Sequence, residues 1–246
     1  MIEIQDISKL YGSLLAVDRL SFQVARGEIV GLIGPNGAGK TTTLRCVAGI
    51  QRPSSGTIRV DGHDIIADAV EAKRSLAFVP DEPQLFDYLT VTEHLRLIAR
   101  LYHVTDAEAR LPGLLDELEL SAKRSALPGE LSRGMRQKLA LACALLHRPV
   151  ALLFDEPLTG LDPLGIRRVK DLILSCAQAG AAVVVSSHLL HLVEELCSRI
   201  VIITKGRKIA DGTMKELSGH PGLAGADLEE VFLKATGPET EAADRS

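Results

Sequence analysis

A chain of 246 residues, 46% hydrophobic and 24% charged, is long enough to bury a core of its own, and no Pro/Gly/Ser-rich linker divides it. Its net charge of -4 supplies no basic field to recruit nucleic acid. No apolar run approaches the ~20 residues of a membrane-spanning helix. Cys46, Cys143, Cys176 and Cys197 stand too far apart for a metal-binding pair and read as small buried thiols.

The N-terminus alternates apolar and polar residues like a strand and lacks the basic start and long apolar core of a secretion signal, so a cytoplasmic location is expected. The first 30 residues and segment 57–65, with turn signals at Arg26-Gly27 and Asp61-Gly62, predict a small antiparallel layer. Short β-branched runs at 28–33, 76–79, 150–154, 181–186 and 200–204 alternate with helical segments. That alternation predicts an α/β fold with a mostly parallel sheet covered on both faces. From 87 to 147 the pattern is helical, with helices expected over 93–102, 107–120 and 133–147 as a subdomain inserted between strands. A further amphipathic helix is expected at 228–235, within a single domain spanning 1–236, before a polar tail at 237–246.

The strongest local signal is Gly34-Pro35-Asn36-Gly37-Ala38-Gly39-Lys40-Thr41, directly after the apolar strand and before a helical run that starts at Thr42. This is the spacing GxxxxGK followed by Ser or Thr, a P-loop. Glycines let backbone N–H groups converge on phosphate oxygens, the helix start adds positive potential, and Lys40 reaches the terminal phosphates. Thr41 offers a hydroxyl to Mg2+. The apolar strand at 150–154 then ends in Asp155 and Glu156. Asp155 suits an outer ligand of that Mg2+, and Glu156 a general base for the attacking water. His188 follows the strand at 181–186 and is expected to open a helix, from where it can reach a γ-phosphate bound at neighbouring strand ends. His191 reads as an ordinary solvated residue. The cradle itself does not read the base, so adenine and guanine stay open on these residues.

Leu131-Ser132-Arg133-Gly134-Met135 resembles the LSGGQ signature of the ATP-binding subunits of ABC transporters, in the variant form LSxGM. Ser132 suits a helix N-cap, and Gly134 bares its backbone at a helix start, a second anion-ready position. The resemblance covers nearly the whole chain. It implies ATP as the nucleotide, Mg2+ as the metal, and a head-to-tail dimer in which Ser132 and Gly134 of one copy meet the γ-phosphate on the other. It places Tyr11 against adenine, Asp162 in the loop linking the two sites, and His188 as a switch residue. Where the family has glutamine after the strand at 76–79 this chain has Asp81, expected to keep a metal contact, with Gln84 the weaker substitute. Segments 80–95 and 228–234 are similar to the ABC-2 branch, largely exporters. The resemblance thus implies a permease on a separate chain, attachment to the cytoplasmic face through it, and pairing with an identical or a related subunit. A soluble ATPase acting on ribosomes or DNA is the alternative, disfavoured by a single cassette without sustained heptads. A binding module without turnover would need neither Glu156 nor His188.

Overall fold

The structure, a computed structural model, describes residues 1–219 and 226–237; the expected tail beyond 237 lies outside them. Strands β1 (Ile2–Tyr11), β2 (Leu14–Val24), β4 (Ser55–Val60) and β5 (His63–Asp64) form an antiparallel sheet in the order β2-β1-β4-β5. A second, six-stranded sheet contains β3 (Ile29–Ile33), β6 (Leu76–Val79), β7 (Ala151–Asp155), β8 (Ala182–Ser186), β9 (Arg199–Thr204) and β10 (Arg207–Gly212), in the order β10-β9-β3-β8-β7-β6. All neighbours are parallel except β10, which hairpins back onto β9.

The helices are α1 (Lys40–Val47), α2 (Ala69–Arg74), α3 (Val91–Leu101), α4 (Ala107–Glu117), α5 (Arg133–Leu145), α6 (Pro163–Gln178), α7 (Leu190–Leu196), α8 (Met214–Ser218) and α9 (Leu228–Thr236). Helices α3, α4 and α5 all lie between β6 and β7, so the helical stretch is an insertion between two sheet neighbours.

Every residue of β3, β7 and β8 is buried, because the sheet is covered on both faces. Alternate residues serve different cores. Leu152 and Phe154 of β7 join Leu95, Leu111 and Leu139 of the inserted helices, whereas Ala151 and Leu153 join Leu44 of α1 and Ile2, Ile4 and Leu20 of the antiparallel sheet. A smaller core under α7, α8 and α9 takes Ile200 and Ile202 from β9.

Boundaries shift by a few residues for identifiable reasons. Helix α3 begins two residues early because Thr90 and Glu93 close a capping box, Thr90 Oγ1 accepting from Glu93 N and the Glu93 carboxylate from Thr90 N. Helix α4 stops at Glu117, since Glu119 turns to a φ of 57°. The Arg26-Gly27 turn carries the chain from β2 into β3 and hence from one sheet to the other; the β1–β2 hairpin instead turns at Gly12, with a φ of 58°. Cys46 is fully buried and the other three cysteines partly so; burial pushes Cys143 and Cys197 up to about 12 and Cys176 to about 11. Among the described residues no helix is long and apolar enough to cross a membrane.

Candidate functional site: one sheet edge and a second helix start

Because β9, β3, β8, β7 and β6 run parallel, the residues following each strand emerge along one edge of the sheet. Gly34 follows β3, His188 follows β8 by two residues, Glu156 follows β7, and Pro80 and Asp81 follow β6. The register sets Ser186 beside both Leu32 and Asp155, so these strand ends lie level. Parallel topology alone gathers residues that are more than 150 positions apart.

The P-loop wraps the N-terminus of α1. Gly34 is required by close approach: a Cβ there would lie 2.3 Å from the Ile203 carbonyl oxygen. Gly39, the N-cap, is required by conformation, with a φ of 102°, and a Cβ would also meet the Ala16 carbonyl oxygen at 2.5 Å. Pro35, Asn36 and Gly37 form the exposed crest and Ala38 is buried, its carbonyl accepting from Gly206 N at 3.0 Å. Lys40 is buried, and its ammonium donates to the carbonyls of Gly34 at 2.6 Å and Pro35 at 3.2 Å. Burial lowers its pKa, while the Glu156 and Asp155 carboxylates act in the opposite direction. The loop therefore holds a cation beneath a crest of backbone amides. Thr41 and Thr42 open the helix beside it, half-buried.

Asp155 is buried, and its Oδ1 accepts from Ser186 Oγ at 2.6 Å. Glu156 adopts a φ of 52°, a left-handed conformation that non-glycine residues rarely keep without support. Its N–H donates to the Ser186 carbonyl at 3.1 Å, and its Oε2 faces His188, 2.8 Å from Nδ1 and 3.3 Å from the His188 N–H. With the proton on Nδ1, His188 presents a free Nε2 lone pair, while the Glu156 carboxylate keeps its other oxygen. His188 itself is exposed and stands before the helix, which begins at Leu190. Ser186 is the residue that sequence reasoning missed. It is a fully buried hydroxyl at the end of a β-branched strand, and it touches both Asp155 and the Glu156 backbone. Ser186→Ala is expected to cost about 2 kcal/mol, because it strips a buried carboxyl group of its donor; denaturant unfolding measures it.

Thr41, Asp155 and Asp81 all line a groove of about 850 Å³ that continues past Phe78, Phe86 and Ile98 to Tyr102. Asp81 is engaged from within the chain: its Oδ1 lies 3.1 Å from Arg133 Nη2. Gln84 turns back on its own loop, donating to the Glu82 carbonyl at 3.4 Å. The loop's far end is held by His94, whose Nε2 accepts from Phe86 N–H at 3.0 Å.

Tyr11 closes β1 with its ring exposed, its hydroxyl on the Gln51 side chain and the Lys9 ammonium 5.1 Å from the ring centroid. Leu131 is buried, and Ser132 caps α5, its hydroxyl accepting from Met135 N at 3.2 Å. Arg133 is exposed, and Gly134 packs against the turn after β7, where a Cβ would lie 3.2 Å from the Gly160 carbonyl oxygen. Asp162 caps α6, accepting from Gly165 N at 3.0 Å. Cradle, carboxylates and His188 thus share the sheet edge, and the start of α5 lies beside it, joined to the loop after β6 through Arg133 and to the turn after β7 through Gly134.

A P-loop at a parallel sheet edge with Asp-Glu and a histidine on the adjoining strands defines a nucleoside-triphosphate hydrolase. Residues 17–159 match the family model described as ABC transporter. The chain is 40% identical, over 94% of its length and 76% of the relative's, to "Nod factor export ATP-binding protein I" of Paraburkholderia xenovorans (strain LB400). It is 34% identical to "ABC-type transporter ATP-binding protein EcsA" of Bacillus subtilis (strain 168), over 96% of both chains. Among solved structures it is similar to the ATP-binding subunit of an ABC transporter, with a TM-score of 0.92, 37% identity and coverage of 96% of this chain and 100% of that one. It is also similar to a dimeric ATP-binding cassette in a post-hydrolysis state bound to ADP and Pi, with a TM-score of 0.80, 25% identity and coverage of 87% and 99%. The chain belongs to the ABC transporter family, as an ATP-binding and ATP-hydrolysing subunit.

Proposed function

We propose that this chain is the motor of an exporter, closing head to tail on a second copy or a related subunit when ATP binds, and reopening after hydrolysis. The observation that carries this reading is the division of one chain into two incomplete phosphate sites. A cradle with Glu156 and His188 lies at the sheet edge, and a second, capped helix start at Ser132 and Gly134 carries neither a P-loop lysine nor a general base. In this reading each half is completed by the other chain.

In this reading the P-loop amides, Lys40 and Thr42 grip the triphosphate, and Tyr11 stacks on adenine through its exposed ring. Glu156 takes the proton of the attacking water, and His188 orients that carboxylate through its Nδ1 contact. The Thr41 hydroxyl and the Asp155 carboxylate are hard oxygen donors suited to Mg2+, and Asp81 lines the same groove. Held by these donors, Mg2+ would neutralise charge on the phosphates. Leu131 and Met135 fix the start of α5, so that Ser132, Arg133 and Gly134 face the partner's nucleotide, while Asp162 sits where the two copies adjoin.

The export direction draws on the name of the relative above and on the likeness to the ABC-2 branch. Docking to a permease on the cytoplasmic face is assigned to the apolar arm of the groove, beside which Phe86 and Tyr88 are 62% and 92% exposed. Such aromatic exposure marks an interface. Purification of the tagged chain from mild-detergent-solubilised membranes of its source is expected to bring down a stoichiometric polytopic protein. Phe86→Ala/Tyr88→Ala should lose that partner while still binding ATP. A chain that instead retained only ribosomal or nucleic-acid-bound proteins would overturn the transport reading.

A further inference from the structure

The loop leaving β6 and the start of α5 are tied together in two ways within one chain. Gln137, buried on α5, donates its Nε2 to the Pro80 carbonyl at 3.3 Å, and one residue further along the loop Arg133 pairs with Asp81. The stem of Arg133 reaches Asp81 by lying across the turn after β7, where a Cβ on Gly160 would meet Arg133 Cδ at 3.2 Å. The two ties differ in strength. The Gln137 contact is enclosed, whereas the Arg133 and Asp81 side chains are 51% and 42% exposed, so their pair is weak and readily exchanged.

We propose that Asp81 is a switched carboxylate: it pairs with Arg133 while the groove lacks a divalent cation, and exchanges that partner when Mg2+ enters with nucleotide. Resting on the MgATP reading above, the inference concerns what Asp81 gives up. Asp81 shares the groove with Thr41 and Asp155, the donors that fit Mg2+. A carboxylate held by a guanidinium is a poorer donor to a second cation, so Arg133 and Mg2+ compete. Release leaves the guanidinium uncompensated between Ser132 and Gly134, adding positive charge to the end of α5 that is already the positive end of the helix. The metal state of one site thereby sets the charge that the same chain offers to its neighbour's phosphates. Arg133 acts here as a positioning residue, through Asp81, and Gln137 keeps the loop in place during the exchange.

The test is a Mg2+ titration of fluorescent-ATP binding to the full chain in the Glu156→Gln background, at a protein concentration where it is monomeric. Arg133→Gln is expected to lower the half-saturating Mg2+ concentration about threefold, the worth of an exposed pair. Arg133→Met, which keeps the stem over Gly160, should give the same shift. Asp81→Asn should raise the half-saturating concentration and abolish the effect of either Arg133 variant. A merely structural Arg133 would move the value upward, since a loosened loop binds worse. No shift, an upward shift, or a shift that persists with Asp81→Asn overturns the switch. Nucleotide binding without Mg2+ is the fold control. A parent chain that bound no nucleotide under any condition would overturn the MgATP reading itself, whereas normal binding without the Arg133 effect would overturn the switch alone.

Discussion

Glu156→Gln is expected to lower steady-state ATP hydrolysis about 10³-fold while leaving ATP affinity within a few-fold of the parent, and to accumulate an ATP-dependent dimer on size-exclusion chromatography. Glutamine is isosteric and meets the same backbone demand as glutamate at a φ of 52°. It can still meet His188 through its side-chain oxygen, so what is removed is the proton acceptor. Among the described residues no hydrogen bond links residue 156 to the cradle at 34–42, and loss of the Glu156 charge beside Lys40 removes a competitor of the phosphates, so binding is expected to survive. In the proposed closure nucleotide trapped between subunits holds the dimer, so loss of turnover is expected to appear as longevity of the complex. Hydrolysis at the parental rate would show that Glu156 is not the base.

Lys40→Ala separates the other half of the chemistry. Its ammonium is already withdrawn from water into the loop, so the desolvation that would otherwise oppose phosphate binding has been met during folding. Removing it deletes charge-assisted contacts to the phosphates and leaves the Gly34 and Pro35 carbonyls without their donor. ATP affinity is expected to fall roughly 30-fold or more, measured by equilibrium binding, and the ATP-dependent dimer should vanish even when Glu156→Gln is present. Persistence of that dimer would assign its formation to something other than the cradle.

The cradle was legible because its function resides in consecutive residues: the turn, the anion site and the lysine are specified together within eight positions, and the flanking strand and helix confirm the context. The same holds for the N-cap at Ser132. What the sequence did not disclose is contact across distance. Ser186 donates to Asp155 from 31 residues away, and a serine ending a strand carries no mark of that role. Arg133 and Asp81 are 52 residues apart, and each departs from the family's usual pattern; only the fold shows that the two departures face one another. The start of α3 at Val91, two residues before the expected 93, is set by Thr90 and Glu93, whose spacing is a capping box, and not by apolar periodicity. The Arg26-Gly27 turn leaves the antiparallel layer for β3, because a turn signal gives the bend and not the sheet that receives it. Strand β10 carries no apolar run to mark it, its residues RKIADG being mostly polar, whereas helix α6 fills the helical interval expected between the strands at 150–154 and 181–186, starting at Pro163, a proline that the capped first turn tolerates.

Strands β6 and β7 are hydrogen-bonded neighbours, with Leu76 opposite Ala151, although the whole helical insertion separates them along the chain. Closing such a loop costs entropy that grows only with the logarithm of its length, about 0.6 kcal/mol for each doubling. The sheet edge that performs hydrolysis is therefore nearly indifferent to how many residues the insertion contains. Beyond Phe78 of β6, Phe86, Ile98 and Tyr102 of the groove's apolar arm and the exposed Tyr88 belong to that insertion and the loop leading into it. Changes to this excursion outside Asp81 and the start of α5 would alter the docking surface proposed above while leaving the cradle, Asp155, Glu156 and His188 in place, so one ATPase core could serve different partners by editing part of a single interval of chain.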